Sequence, residues 1–134
     1  MRRIGMFVLG VAALEALSGP VLAEGDAVKG KAAYAKCGMC HMVGPDAQNT
    51  AGPQLNAIVG RKAASVADYA KQYSLGMKKL GAEGFVWTEE HIDKFIADPK
   101  AMLPESPMAQ LFIGIPKAEE RADIIAYLKA FSHP

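Results

Sequence analysis

The chain has 134 residues, 51% hydrophobic and 22% charged, with a formal charge of +1. That is enough for one small domain. Its basic residues form no run and do not interleave with aromatics, and no acidic tail is present, which argues against a nucleic-acid partner.

The first 23 residues, MRRIGMFVLGVAALEALSGPVLA, open with Arg2 and Arg3 and continue through an apolar run to Val21-Leu22-Ala23. Val21 and Ala23 at −3 and −1 predict removal as a signal peptide, with export to the periplasm. Glu15 inside the run and Gly19-Pro20 near its end make it a poor membrane-spanning helix. Removing Arg2, Arg3 and Glu15 from 15 basic and 14 acidic residues leaves 13 of each, so the remaining domain, 24–134, is formally neutral. A domain this small buries only about 60–70% of its unfolded surface, so a large buried cofactor would stabilise it considerably.

Strand-like alternation is scarce and helix signals are frequent. Asp26 is placed to cap a helix running to about Lys36, with Val28 and Tyr34 among its apolar positions. The segment SVADYAKQYSLGMKKLG predicts one or two short helices, interrupted near Gly76 and Gly81. Thr88 caps EEHIDKFIA, whose Glu89 and Glu90 suit a helix N-terminus and whose Ile92, Phe95 and Ile96 form a buried stripe; Asp98-Pro99 ends it. The last helix, 117–131, places Ile124, Leu128 and Phe131 on one face with Ile125 alongside. Two long loops remain, 42–64 and 99–116, which are expected to be organised by something other than backbone pairing.

Both cysteines lie in Cys37-Gly-Met-Cys40-His41. C-x-x-C-H is the attachment signature of a c-type haem. On a helical turn, positions i and i+3 share a side, so two sulfurs can reach the vinyl groups along one porphyrin edge while His41 offers its imidazole to the iron. The rivals are weaker. No strand or βαβ pattern precedes the pair, as a thioredoxin-like dithiol requires. A disulfide here would close a very small loop. Zinc needs four ligands, and His91 and His133 are not spaced to complete a set.

The second axial position is open to several methionines. Met39 and Met42 adjoin the attachment site and cannot reach the opposite face, and Met77 lies at a core-like helical position. Met102 and Met108 remain, both in the 99–116 loop. Met108 is the stronger candidate, since Pro104 and Pro107 restrict the backbone that presents it. An unligated face would instead suit a peroxidase or gas sensor. No catalytic acid, base or nucleophile constellation is visible, which argues against an enzyme.

These motifs together resemble a class I cytochrome c of the bacterial cytochrome c2 type, over essentially the whole of 24–134. GDAVKGKAAYAKCGMCH is similar to the family's first helix and attachment site, with Gly30 and Tyr34 on its glycine/aromatic packing pair. The resemblance implies a small all-α fold, several helices and long loops wrapped around one covalently bound haem. In AGPQLNAIVGRK it puts Pro53 at the carbonyl that receives the His41 N–H, and Arg61 beside a haem propionate. In GFVWTEEHIDKFIADPK it puts Trp87 on a propionate. LPESPM aligns Met108 with the sixth ligand and Ser106 with a propionate-side hydroxyl; Tyr73 matches a propionate-bonding tyrosine. Phe95 stands where many members have a tyrosine bonded to the axial sulfur. Lys36 and Lys100 match lysines that ring the exposed haem edge, and Pro107 occupies a site often lysine. The expected role is a soluble, monomeric one-electron carrier docking transiently on membrane redox complexes: a quinol-oxidising complex, a terminal oxidase or a photosynthetic reaction centre. Near-neutral charge predicts weak electrostatic steering.

Overall fold

The structure is a computed structural model that describes residues 24–132. The expected signal segment, 1–23, and His133 lie outside the described residues. Helix α1 spans Ala27–Ala33, α2 Ala35–Gly38, α3 Leu75–Ala82, α4 Glu89–Ala97, α5 Pro99–Met102, α6 Pro107–Leu111 and α7 Ala118–Lys129. A 3₁₀ turn covers Ala67–Tyr69. Among the described residues there is no strand, only the isolated bridges His41–Asn49 and Lys62–Val86. The architecture is the small all-α fold that the sequence suggests.

Local chemistry sets the helix starts. Asp26 accepts from the N–H groups of Val28 and Lys29, Ser74 from Met77, Thr88 from His91, Asp98 from Ala101 and Ser106 from Ala109. The predicted first helix is divided at Tyr34, where ψ is −18° and the Cys37 N–H reaches back three residues to the Tyr34 carbonyl. This 3₁₀-like tightening separates α1 from the turn that carries the cysteines. Gly76 does not interrupt a helix; it sits in the first turn of α3. The 99–116 segment is no bare loop either, because it holds α5 and α6.

The core forms where α1 and α4 pack on α7. At Gly30 a Cβ would lie 1.9 Å from the Asp123 carbonyl oxygen, so only glycine permits this close crossing of α1 over α7. Ile92, Phe95 and Ile96 of α4 meet Ile124, Ile125 and Leu128 of α7, with Trp87, Leu103 and Ile115 completing the cluster. Phe131 is only half-buried and lies beyond the end of α7. Arg121 joins three segments: its Nε donates to Asp93 Oδ1 of α4 at 2.7 Å, and its Nη1 to the carbonyls of Ile115 and Pro116, each at 2.9 Å.

The 42–64 loop corrects another expectation, since hydrogen bonds of the chain itself organise it. Gly52 N–H bonds the Cys40 carbonyl, Leu55 N–H that of Met42, Gly60 N–H that of Trp87 and Ala63 N–H that of Phe85. Asn56 exchanges two 2.8 Å bonds with the backbone of Gly44. This network carries the residues following His41 back beneath its ring.

Candidate haem site

Cys37 lies in the short α2 and Cys40 follows within one turn, its N–H bonded to the Cys37 carbonyl at 3.0 Å. The helical turn therefore puts both thiols on one side, and both are free and half-buried. Burial raises the Cys37 pKa to about 11; Lys36 partly opposes that shift. The thiol is thus protonated at neutral pH rather than a reactive thiolate, unlike the depressed thiols of dithiol oxidoreductases.

His41 is the most tightly determined residue of the cluster. Its Nδ1 lies 2.7 Å from the Pro53 carbonyl oxygen. A carbonyl can only accept, so Nδ1 carries the proton and Nε2 keeps its lone pair for a metal. Gly52 makes room for the ring: a Cβ there would be 2.4 Å from Cε1, 2.7 Å from Nδ1 and 2.9 Å from Nε2. Tyr34 Oη donates to the His41 carbonyl at 2.7 Å, and Thr50 Oγ1 to the Cys40 carbonyl at 2.7 Å. Burial lowers the His41 pKa, an effect that outweighs the opposing Pro53 hydrogen bond. The imidazole is consequently neutral at pH 7, the form that binds a metal.

The other expected residues fall into groups. Met108 is in the first turn of α6 and Met102 at the end of α5; both are half-buried and pack on the core. Ser106, 4% exposed, uses its hydroxyl oxygen to cap α6, which leaves its proton free to donate elsewhere. Trp87 is buried between Phe85 and Phe95, each 5.1 Å away between ring centroids. Arg61 Nη1 donates to the carbonyls of Gln54 and Asn56, and burial lowers its pKa. Tyr73 lies near Arg61; its hydroxyl accepts from the Val66 N–H, and its ring meets Tyr69 edge-on at 4.9 Å. Lys36 is bonded to Glu120, whereas Lys100 is exposed on α5.

Tyr69 was not singled out by the sequence. It is 7% exposed, and its hydroxyl donates to the Ala51 carbonyl at 2.6 Å, beside the Gly52 that carries the His41 ring. No local motif marks it, since the partner is 18 residues away.

A helical C-x-x-C turn with a tautomer-fixed, neutral histidine and a glycine cut away beneath its ring fits covalent haem attachment. The class defined by this fold and site is a small haem protein of the single-turn attachment type. The sequence profile of the Cytochrome c family matches residues 27–132. Cytochrome c2 of Agrobacterium tumefaciens (strain II Chrys) is 48% identical over 105 residues, covering 78% of this chain and 91% of that protein. The solved cytochrome c2 of Rhodospirillum centenum superposes with a TM-score of 0.69 at 36% identity, covering 81% of this chain and all of that one. Cytochrome cH from Methylobacterium extorquens gives a TM-score of 0.64 at 36% identity, covering 79% and 99%. The chain belongs to the cytochrome c family. It therefore has one covalently bound haem c and works as an electron carrier, not an enzyme.

Proposed function

We propose that this chain is a soluble periplasmic carrier of single electrons, with haem thioether-linked to Cys37 and Cys40 and its iron ligated by His41 and Met108. The observation that carries the ligand assignment is the His41 Nδ1–Pro53 carbonyl bond of 2.7 Å, with the ring seated on Gly52. It fixes the tautomer, orients the ring and makes Nε2 a better donor to the metal. A haem held there supplies one reversible electron, the iron passing between ferric and ferrous states without a substrate bond changing.

The chain's own residues would do the rest. The α2 turn presents the two thiols, and Pro53 holds the imidazole. Ser106 starts α6 and so sets where Met108 is displayed. Arg61, Trp87 and Ser106 supply donors for the propionates. Trp87, Phe95 and Leu103 line an apolar interior that excludes water, and Phe95 offers the axial sulfur no hydrogen bond.

Among the described residues no helix is long and apolar enough to cross a membrane. Cleavage after Ala23 would release the domain beginning at Glu24. We assign its partners as membrane redox complexes (a quinol-oxidising complex, a terminal oxidase or a photosynthetic reaction centre) approached through the haem edge near Lys100 and Lys36. The Lys36–Glu120 pair reduces the positive charge available there, in keeping with weak steering.

The test is mass spectrometry and carbon monoxide exposure of the exported protein. The expected product starts at Glu24, carries one haem and does not bind carbon monoxide promptly when reduced. A haem-bearing product that binds it at once would mean an open sixth position, as in a peroxidase or gas sensor. A bare polypeptide would refute attachment.

A further inference from the structure

Charge along the domain is unevenly divided although the total is neutral. Residues 61–82 contain Arg61, Lys62, Lys71, Lys78 and Lys79 against a single acid, Asp68. The ion pairs among the described residues are Lys36–Glu120, Lys94–Glu90, Arg121–Asp93 and Lys129–Glu89. None of them uses a lysine of this segment. Positive charge therefore collects around the 62–65 turn and α3, with Glu83 at the end of α3 and Glu105, which accepts from the Gly76 N–H, as the neighbouring acids.

A cavity of about 320 Å³ opens at the same place, lined by Lys62, Ser65, Tyr73 and Lys78 together with small residues of the turn and α3. Cys37, Cys40, His41, Met102 and Met108 take no part in it. Ligand pockets span roughly 300–1,000 Å³, so this one suits a small ligand. Gly81 lets α3 close against the turn: a Cβ there would be 2.5 Å from the Ala63 carbonyl oxygen. On the other side of the turn, Ala64 is held at φ +56°, an uncommon conformation for a residue with a Cβ. Ser65 Oγ commits its proton to the Lys62 carbonyl at 2.6 Å and so braces the turn. Tyr73 Oη accepts from Val66 N–H, which leaves its own proton to donate.

We propose that this cavity binds a phosphate-bearing anion, held by the Lys62 and Lys78 ammonium groups with the Tyr73 hydroxyl as a third donor. Two flexible point charges and a phenol suit a tetrahedral oxyanion. The lining holds no guanidinium, so the planar two-point recognition that favours a carboxylate is missing. The anion would sit one aromatic contact from Tyr69, which bonds Ala51 beside the Gly52–His41 contact.

The test follows backbone amide NMR signals of the reduced haem-bearing protein during titration with sodium pyrophosphate, with sodium chloride holding ionic strength constant. Saturable shifts confined to Lys62–Ser65, Tyr73 and Lys78–Ala82 are expected. The K62Q/K78Q variant should weaken that binding by about tenfold, as expected for losing two exposed charge contacts, while K31Q, on α1, leaves it unchanged. A parallel arm uses phosphatidylglycerol vesicles against phosphatidylcholine vesicles. Shifts of the same amides with phosphatidylglycerol alone, and not with pyrophosphate, would identify the source of the phosphate as a lipid headgroup. Shifts spread over lysines across the whole surface would overturn the proposal. So would binding equally strong in K62Q/K78Q, or no response to either probe. All lysines involved are exposed, so these variants fold, and the result is independent of whether Met108 is the sixth ligand.

Discussion

Replacing Gly52 by alanine puts a methyl group 2.4 Å from His41 Cε1 and within 2.9 Å of both ring nitrogens. Relief to an ordinary contact near 3.4 Å requires the ring, or the backbone under it, to move by about 1 Å. The ring cannot retreat that far and keep its 2.7 Å bond to the Pro53 carbonyl. Overpacking costs about 1–3 kcal/mol and the lost hydrogen bond about 1 kcal/mol more. A destabilisation of about 2–4 kcal/mol should lower Tm by roughly 10–20 °C in a domain of this size. Gly38→Ala is the matched control inside the attachment turn, where a Cβ meets Tyr34 Cε1 at an unstrained 3.7 Å. The assay is thermal unfolding of both purified haem proteins alongside their visible spectra. G52A should be strongly destabilised with a perturbed spectrum, and G38A should match the parent or slightly exceed it. A G52A protein with parental Tm and spectrum would refute the idea that this glycine exists to seat the imidazole.

Arg121→Ala removes the partner of Asp93 and of two carbonyls; chemical denaturation should show a loss of about 3–5 kcal/mol, with R121K recovering part of it. Equal stability of R121A and parent would contradict the clamp. Glu120→Gln frees Lys36; because both side chains are partly exposed, stability should change by less than about 1 kcal/mol. The rate of electron transfer to an acidic partner should then fall more steeply with added salt than for the parent, and identical salt slopes would count against steering at Lys36.

The attachment turn and the α4 and α7 stripes were legible because their signals are local: Cys37, Cys40 and His41 fall within five residues, and Ile92, Phe95, Ile124 and Leu128 recur at helical spacing. Asp98-Pro99 is a local signal that works in two directions. A capping side chain followed by proline ends the preceding helix, but it equally starts the next, with proline at the first position where its missing N–H costs nothing. Both α5 and α6 begin in this way. Tyr69 and the 42–64 network were beyond reach for a different reason. A tyrosine hydroxyl bonded to a carbonyl 18 residues earlier, or a glycine needed because a histidine ring lies over it, depends on how the chain returns on itself. The same holds for Lys36, whose pairing with Glu120 spans 84 residues.

The most direct measurement is the sulfur-to-iron charge-transfer band of the oxidised protein, compared in the parent, Met108→Ala and Met102→Ala. The parent and M102A should show it, and M108A should lose it while keeping its haem covalently bound. Persistence of the band in M108A, or its absence from the parent, would contradict ligation of the iron by His41 and Met108.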